Sequence, residues 1–123
     1  MMSFKTAVKV CAKKCFKASG RATRAEFWWL VLALFIALVV LSVPFIILLG
    51  PEGMIQLMYL ESFYFLMAMT ILVFAAVRRL HDAGRTGAWL LLVFVPLVRL
   101  GLLYFLCEDS EPCDNRYGEY VEY

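Results

Sequence analysis

The sequence predicts an all-α membrane protein, with three transmembrane helices preceded by an N-terminal amphipathic helix, and three observations lead there. Of its 123 residues 63% are hydrophobic and the mean hydropathy is +0.79, whereas a soluble domain is only about half apolar. The apolar residues lie in long runs, the first of them uncharged from Phe27 to Leu49, which is enough for a bilayer core of about 30 Å. The net charge of +2 conceals a segregation: residues 1–26 carry seven Lys and Arg against Glu26, and residues 107–123 carry six Asp and Glu against Arg116. Charge sorted in this way along a hydrophobic chain is information about sidedness.

From Met2 to Lys17, the positions Phe4, Ala7, Val8, Cys11 and Cys15 follow the i, i+3, i+4, i+7 spacing, and Lys5, Lys9, Lys13 and Lys17 occupy the remaining faces. This predicts a basic amphipathic surface helix within residues 1–19, where each basic side chain contributes about 1 kcal/mol near anionic lipid. Gly20 ends it. Thr23 and Glu26 have the spacing of a capping box, so the next helix is expected from Arg24. It carries Phe27-Trp28-Trp29 into the interface and runs uncharged over 27–49, about 34 Å. The run starts too deep in the chain, and lacks the small-residue cleavage site, for a signal peptide. Pro44 is expected to kink it, and Gly50-Pro51-Glu52-Gly53 reads as a tight turn.

The second span is expected at 55–77, with Gln56 and Glu61 near the outer interface, and the third at 88–107, holding Pro96 and Arg99. Pro96 and Arg99 could instead mark a re-entrant turn. The span is favoured because residues 88–107 cover about 30 Å and a re-entrant path needs its non-helical backbone buried in protein. Residues 20–107 thus form a three-span membrane domain with the basic N-terminus inside, the Pro51-Glu52 turn outside and the loop from Arg78 to Arg85 inside. The acidic tail, residues 108–123, is expected to be flexible and outside.

Between the second and third spans stands the most polar stretch, Arg78-Arg79-Leu80-His81-Asp82-Ala83-Gly84-Arg85-Thr86-Gly87, with three arginines and the single histidine. If the second helix continues to Ala83, then Arg78, His81, Asp82 and Arg85 share one face, Gly84 is the left-handed residue that ends it, and Thr86 can cap the third helix. The leading expectation is an ionic clasp of Asp82 with Arg21 or Arg24, fixing how the helices meet. Behind it comes an anion site, arginines plus the free N–H groups of the third helix holding a phosphate or lipid headgroup. Catalysis by His81 with Asp82 is disfavoured, because adjacent helical residues point about 100° apart and no nucleophile stands beside them.

The four cysteines and lone histidine make neither a metal site nor a redox motif: Cys11 and Cys15 are four apart, and Cys107 and Cys113 flank an acidic segment. Arg99, near the middle of the third span, needs a partner or a route to water. Glu61 is the one acid in reach, but the two differ by about 8 Å in depth and lean in opposite directions. A snorkelling or oligomer-facing Arg99 is therefore preferred.

Three stretches taken together resemble a known family: Gly20-Arg21-Ala22-Thr23-Arg24-Ala25-Glu26-Phe27-Trp28-Trp29, the stretch Arg78 to Gly87, and Asn115-Arg116-Tyr117-Gly118 in the tail. The chain is similar there to the domain of unknown function 805 family, the YhaH-like small bacterial inner-membrane proteins, over roughly residues 15 to 118. The resemblance implies a multi-pass protein of the bacterial inner membrane and brings no activity, cofactor or catalytic residue with it. Two positions depart from the family pattern, Ala88 where a tryptophan often stands and Arg99 where a small residue is usual. The function expected is a non-enzymatic membrane component that binds anionic lipid headgroups or a protein partner through its arginine-rich inner face. A second copy of the chain is a further partner class, and nucleic acid is not one. The alternative is a subunit of an oligomeric transporter or channel lined by Glu61 and Arg99.

Overall fold

The structure, a computed structural model, describes residues 4–120. It consists of α1 (Phe4–Lys14), α2 (Arg24–Leu49), a short 3₁₀ turn (Gly50–Gly53), α3 (Met54–Asp82), a 3₁₀ segment (Gly87–Phe94) and α4 (Arg99–Cys107). Among the described residues there is no strand, only an isolated bridge between Asn115 and Gly118.

α1 closes with Lys13 and Lys14 in its last turn, where cations favour a helix C-terminus. It buries Ala7 and exposes Lys5, Lys9 and Lys13. The start expected at Met2, and the side chains of Phe4, Val8 and Cys11, lie outside the described residues. α2 begins as the capping spacing predicts, with Thr23 Oγ1 accepting from Glu26 N at 3.3 Å. It ends at Gly50, whose φ of +54° suits glycine. Gly53 has no room for a side chain, since a Cβ there would stand 2.3 Å from Leu49 Cβ.

Across this turn α2 and α3 return as an antiparallel pair. Its register is marked by Ser42 with Glu61, by Tyr64 Oη donating to Leu34 O, and by Arg78 with Glu26. The stretch Arg24–Asp82 is long and apolar enough to cross a membrane, and only 6% of its most apolar window is buried inside the protein. The core of a soluble protein would bury that window; here Phe35, Val40, Ile47, Phe63, Phe65 and Leu66 face outward. A small core forms at the other end, where Ala75 and Ala76 let Phe27, Leu30, Leu80, Leu102 and Leu106 close together.

The third segment corrects the sequence reading. Residues 88–107 do not form one helix: the chain turns at residues 95–98 and comes back as α4. Trp89 meets Phe105 edge to face at 5.2 Å, and Leu90 packs on the core that holds Leu102 and Leu106. The arms are about 16 Å and 13 Å long, roughly half a bilayer core. Pro96 supplies no N–H, and Val95 before it is extended at φ −102°, ψ 109°. The turn satisfies its own backbone through Val95 N to Leu92 O, Arg99 N to Val95 O and Gly101 N to Val98 O, which is what an apolar medium demands of it. Thr86 stands before the 3₁₀ segment but makes no side-chain cap. The tail corrects the reading as well: it folds against the joined ends of α2 and α3, so it is neither detached nor at the far end of the helix pair from α1. Its expected residues 121–123 lie outside the described ones.

Candidate functional site: a buried arginine and carboxylate cluster

Where the helices converge, five charged side chains are almost wholly buried: Arg21, Glu26, Arg78, Arg79 and Asp82. Each is placed by a short local feature. Gly20, at φ +93°, turns the chain so that Arg21 points into the cluster, and Ala22 N then bonds Arg78 O at 3.1 Å. Glu26 lies on the first turn of α2, held by the Thr23 cap. Arg78, Arg79 and Asp82 are on the last turns of α3, which stops at Ala83 and Gly84, the latter at φ +69°.

Asp82 is the hub. Its Oδ1 accepts from Arg21 Nε at 2.9 Å, its Oδ2 accepts from Arg79 Nη1 at 2.7 Å and from Ser110 Oγ, and its carbonyl accepts from Arg21 Nη2 and Glu111 N. Arg21 also donates to the carbonyls of Cys113 at 2.7 Å and Glu111 at 2.6 Å. Arg79 donates to Leu106 O at 3.0 Å and to Glu108 O, capping α4. Arg78 meets Glu26 at 3.0 Å. Three guanidinium groups thus face two carboxylates, and the surplus positive charge is met by the carbonyl end of α4 and by tail carbonyls, which carry partial negative charge.

Toward solvent the contacts loosen. Arg85, about one third exposed, reaches Glu108 at 3.3 Å and lies 3.9 Å over the Phe105 ring; Arg24 pairs with Asp109. The tail motif is docked. Asn115 Nδ2 donates to His81 O at 2.9 Å and Glu111 Oε2 at 2.8 Å, and Asn115 Oδ1 accepts from Tyr117 N. The Tyr117 ring stacks on His81 at 3.8 Å, Arg116 covers its other part, and Gly118 closes the bridge to Asn115. Glu61 and Arg99 take no part: Glu61 bonds Ser42, Arg99 is exposed at the start of α4, and no ion pair joins them among the described residues.

Sequence reasoning did not see Glu26 as the partner of Arg78, nor Ser110 and the carbonyls of Leu106, Glu108, Glu111 and Cys113 as acceptors. The available signal was an imbalance: the two stretches around Arg21 and Arg79 hold more guanidinium donors than nearby carboxylate oxygens. Every guanidinium nitrogen of Arg21 and Arg79 donates to a protein acceptor, so the anion site expected there would share its donors with the tail.

His81 lies beyond the apolar part of α3. Burial pushes its imidazole below the usual histidine range and Arg116 adds to this, while a hydrogen bond to the Gly20 carbonyl opposes it. The neutral ring is therefore the form stacked on Tyr117. The stability it contributes is present above the ordinary value of about 6.5 and is lost as pH falls toward the depressed folded value. In mild detergent the wild-type melting temperature should fall more between pH 7 and pH 5 than that of a His81→Gln variant; parallel curves would remove His81 as the cause.

A helix pair apolar on its outside, tied at one end by a buried ionic cluster, defines a small integral membrane protein. The chain belongs to the family described as Protein of unknown function (DUF805), whose model matches residues 15–119. It is similar to Inner membrane protein YhaI of Escherichia coli (strain K12), 43% identical over 101 residues, covering 81% of each chain. It is also similar to Inner membrane protein YhaH of the same organism, 33% identical over 109 residues, covering 80% of this chain and 82% of the relative. No solved structure matches. The family is one of uncharacterised bacterial inner-membrane proteins and carries no catalytic assignment.

Proposed function

We propose that the chain is a non-enzymatic component of the bacterial inner membrane, with two crossings and a half-membrane hairpin, which binds anionic lipid headgroups at its cytoplasmic face through α1. One observation carries this reading. Every Lys and Arg except Arg99 belongs to segments gathered at one end of the α2 and α3 pair, while the turn at the other end holds only Glu52. By the positive-inside bias that end is cytoplasmic, and both α1 and the tail share it. Arg21 and Arg79 are occupied by the tail and Arg78 by Glu26, so lipid falls to the exposed Lys5, Lys9, Lys13 and Lys17. The non-enzymatic reading is supported by the same accounting: both Asp82 oxygens are engaged, and the half-buried His81 ring is stacked on Tyr117.

Protein in nanodiscs of mixed lipid should retain phosphatidylglycerol and cardiolipin over phosphatidylcholine, less so at high salt. A Lys5→Gln/Lys9→Gln/Lys13→Gln/Lys17→Gln variant should lose most of that preference. Equal retention by the two proteins would overturn the lipid reading.

A further inference from the structure

Between residues 27 and 77 only Glu52 and Glu61 carry charge. Glu52 is exposed in the turn, whereas Glu61 is half-buried on α3, seven residues or about 10 Å from the helix start. It faces Ser42 of α2. Ser42 Oγ stands 2.7 Å from Glu61 Oε1 and 2.9 Å from Leu38 O, the carbonyl one turn back on its own helix. A hydroxyl has one hydrogen to give. Serine in an apolar helix characteristically gives it to that i−4 carbonyl. With that hydrogen given wholly to Leu38 O rather than shared, the 2.7 Å contact is a hydrogen bond only if Glu61 supplies the second hydrogen, which a carboxylic acid has and a carboxylate lacks.

The competing arrangement, an ionised Glu61 accepting from Ser42, leaves a full charge among apolar groups with one neutral hydrogen bond. No cation among the described residues pairs with it, and Tyr64, one turn further along α3, donates to Leu34 O. An unpaired charge at such a site is strongly disfavoured.

We propose that Glu61 and Ser42 form an intramembrane proton-binding site, with Glu61 as the acid, Ser42 Oγ as its acceptor and Leu38 O as the end of the chain of hydrogen bonds. A cavity of about 280 Å³ lined by Met54, Ile55, Leu57, Met58 and Glu61 opens beside the carboxyl group, giving small apolar reagents a route to it. The site does not depend on the lipid reading above.

Two measurements at neutral pH on the full chain in nanodiscs test it. Infrared difference spectra of wild type minus Glu61→Gln should contain a carboxylic acid C=O stretch that moves down in D₂O. In Ser42→Ala that stretch should move up, as a hydrogen-bonded acid loses its acceptor. Dicyclohexylcarbodiimide should modify Glu61. The acid O–H adds across one C=N bond, oxygen to the central carbon and hydrogen to nitrogen, and the O-acylisourea rearranges to an N-acylurea with nothing leaving. Mass spectrometry should therefore find the whole reagent added at Glu61, and no adduct in Glu61→Gln. Carboxylate bands alone with no adduct would overturn the proposal, and an acid band unmoved by Ser42→Ala would overturn Ser42 as the partner.

Discussion

Asp82→Asn should lower stability by about 3–5 kcal/mol, the loss expected when one partner of a buried ionic group is removed and the others stay. The aspartate is wholly buried and receives Arg21, Arg79 and Ser110 together. Asparagine keeps the shape but presents an N–H₂ to one of those donors, so at least one guanidinium is left buried without its acceptor. The damage should extend to α4 and the tail, whose carbonyls are held by the same two arginines. Arg85→Gln is the natural comparison. Its pair with Glu108 is about one third exposed, and such pairs contribute at most about 1 kcal/mol. Thermal melting in mild detergent, with limited proteolysis after residue 107, separates the two. An Asp82→Asn protein that melts with wild type and keeps its tail protected would overturn the clamp.

Cys113 should be invisible to a membrane-impermeant maleimide in cells whose outer membrane is permeabilised, and should label fully once the inner membrane is broken. The effect is all or none, because the residue is exposed and its only shield is the bilayer. The motive is the Cys113 carbonyl, which accepts from Arg21, so residue 113 lies at the same membrane face as the segment before α2. Replacing Cys11, Cys15 and Cys107 by serine isolates the probe, and Glu52→Cys, in the exposed turn at the far end, should label from outside. Labelling of Cys113 in intact inner membranes would restore three crossings and detach the tail from the cluster.

Much of the local structure was legible in residue order. Thr23 and Glu26 announced the start of α2, Gly50 and Gly53 its reversal, and Gly84 the end of α3, because caps and left-handed turns depend on a few adjacent residues. The uncharged run 27–49 announced a helix apolar on all sides. The sequence also set Asp82 at one depth with Arg21 or Arg24; the structure puts Arg21 on it and turns Arg24 to Asp109.

The third segment was decided only in the tertiary structure. Residues 88–107 have the same hydropathy whether they cross or turn back. What selects the turn is Pro96 together with the burial of Leu90, Leu102 and Leu106 on Ala75 and Ala76. The tail followed the same logic. Its acidic composition reads as a solvated segment, yet Arg21 and Arg79 hold it by backbone carbonyls, at Glu108, Glu111 and Cys113. Every residue carries a carbonyl, so composition cannot distinguish those that meet an arginine. Only the approach of α4 to the end of α3 makes them acceptors, since a buried guanidinium must find oxygen from whatever segment the fold brings within about 3 Å.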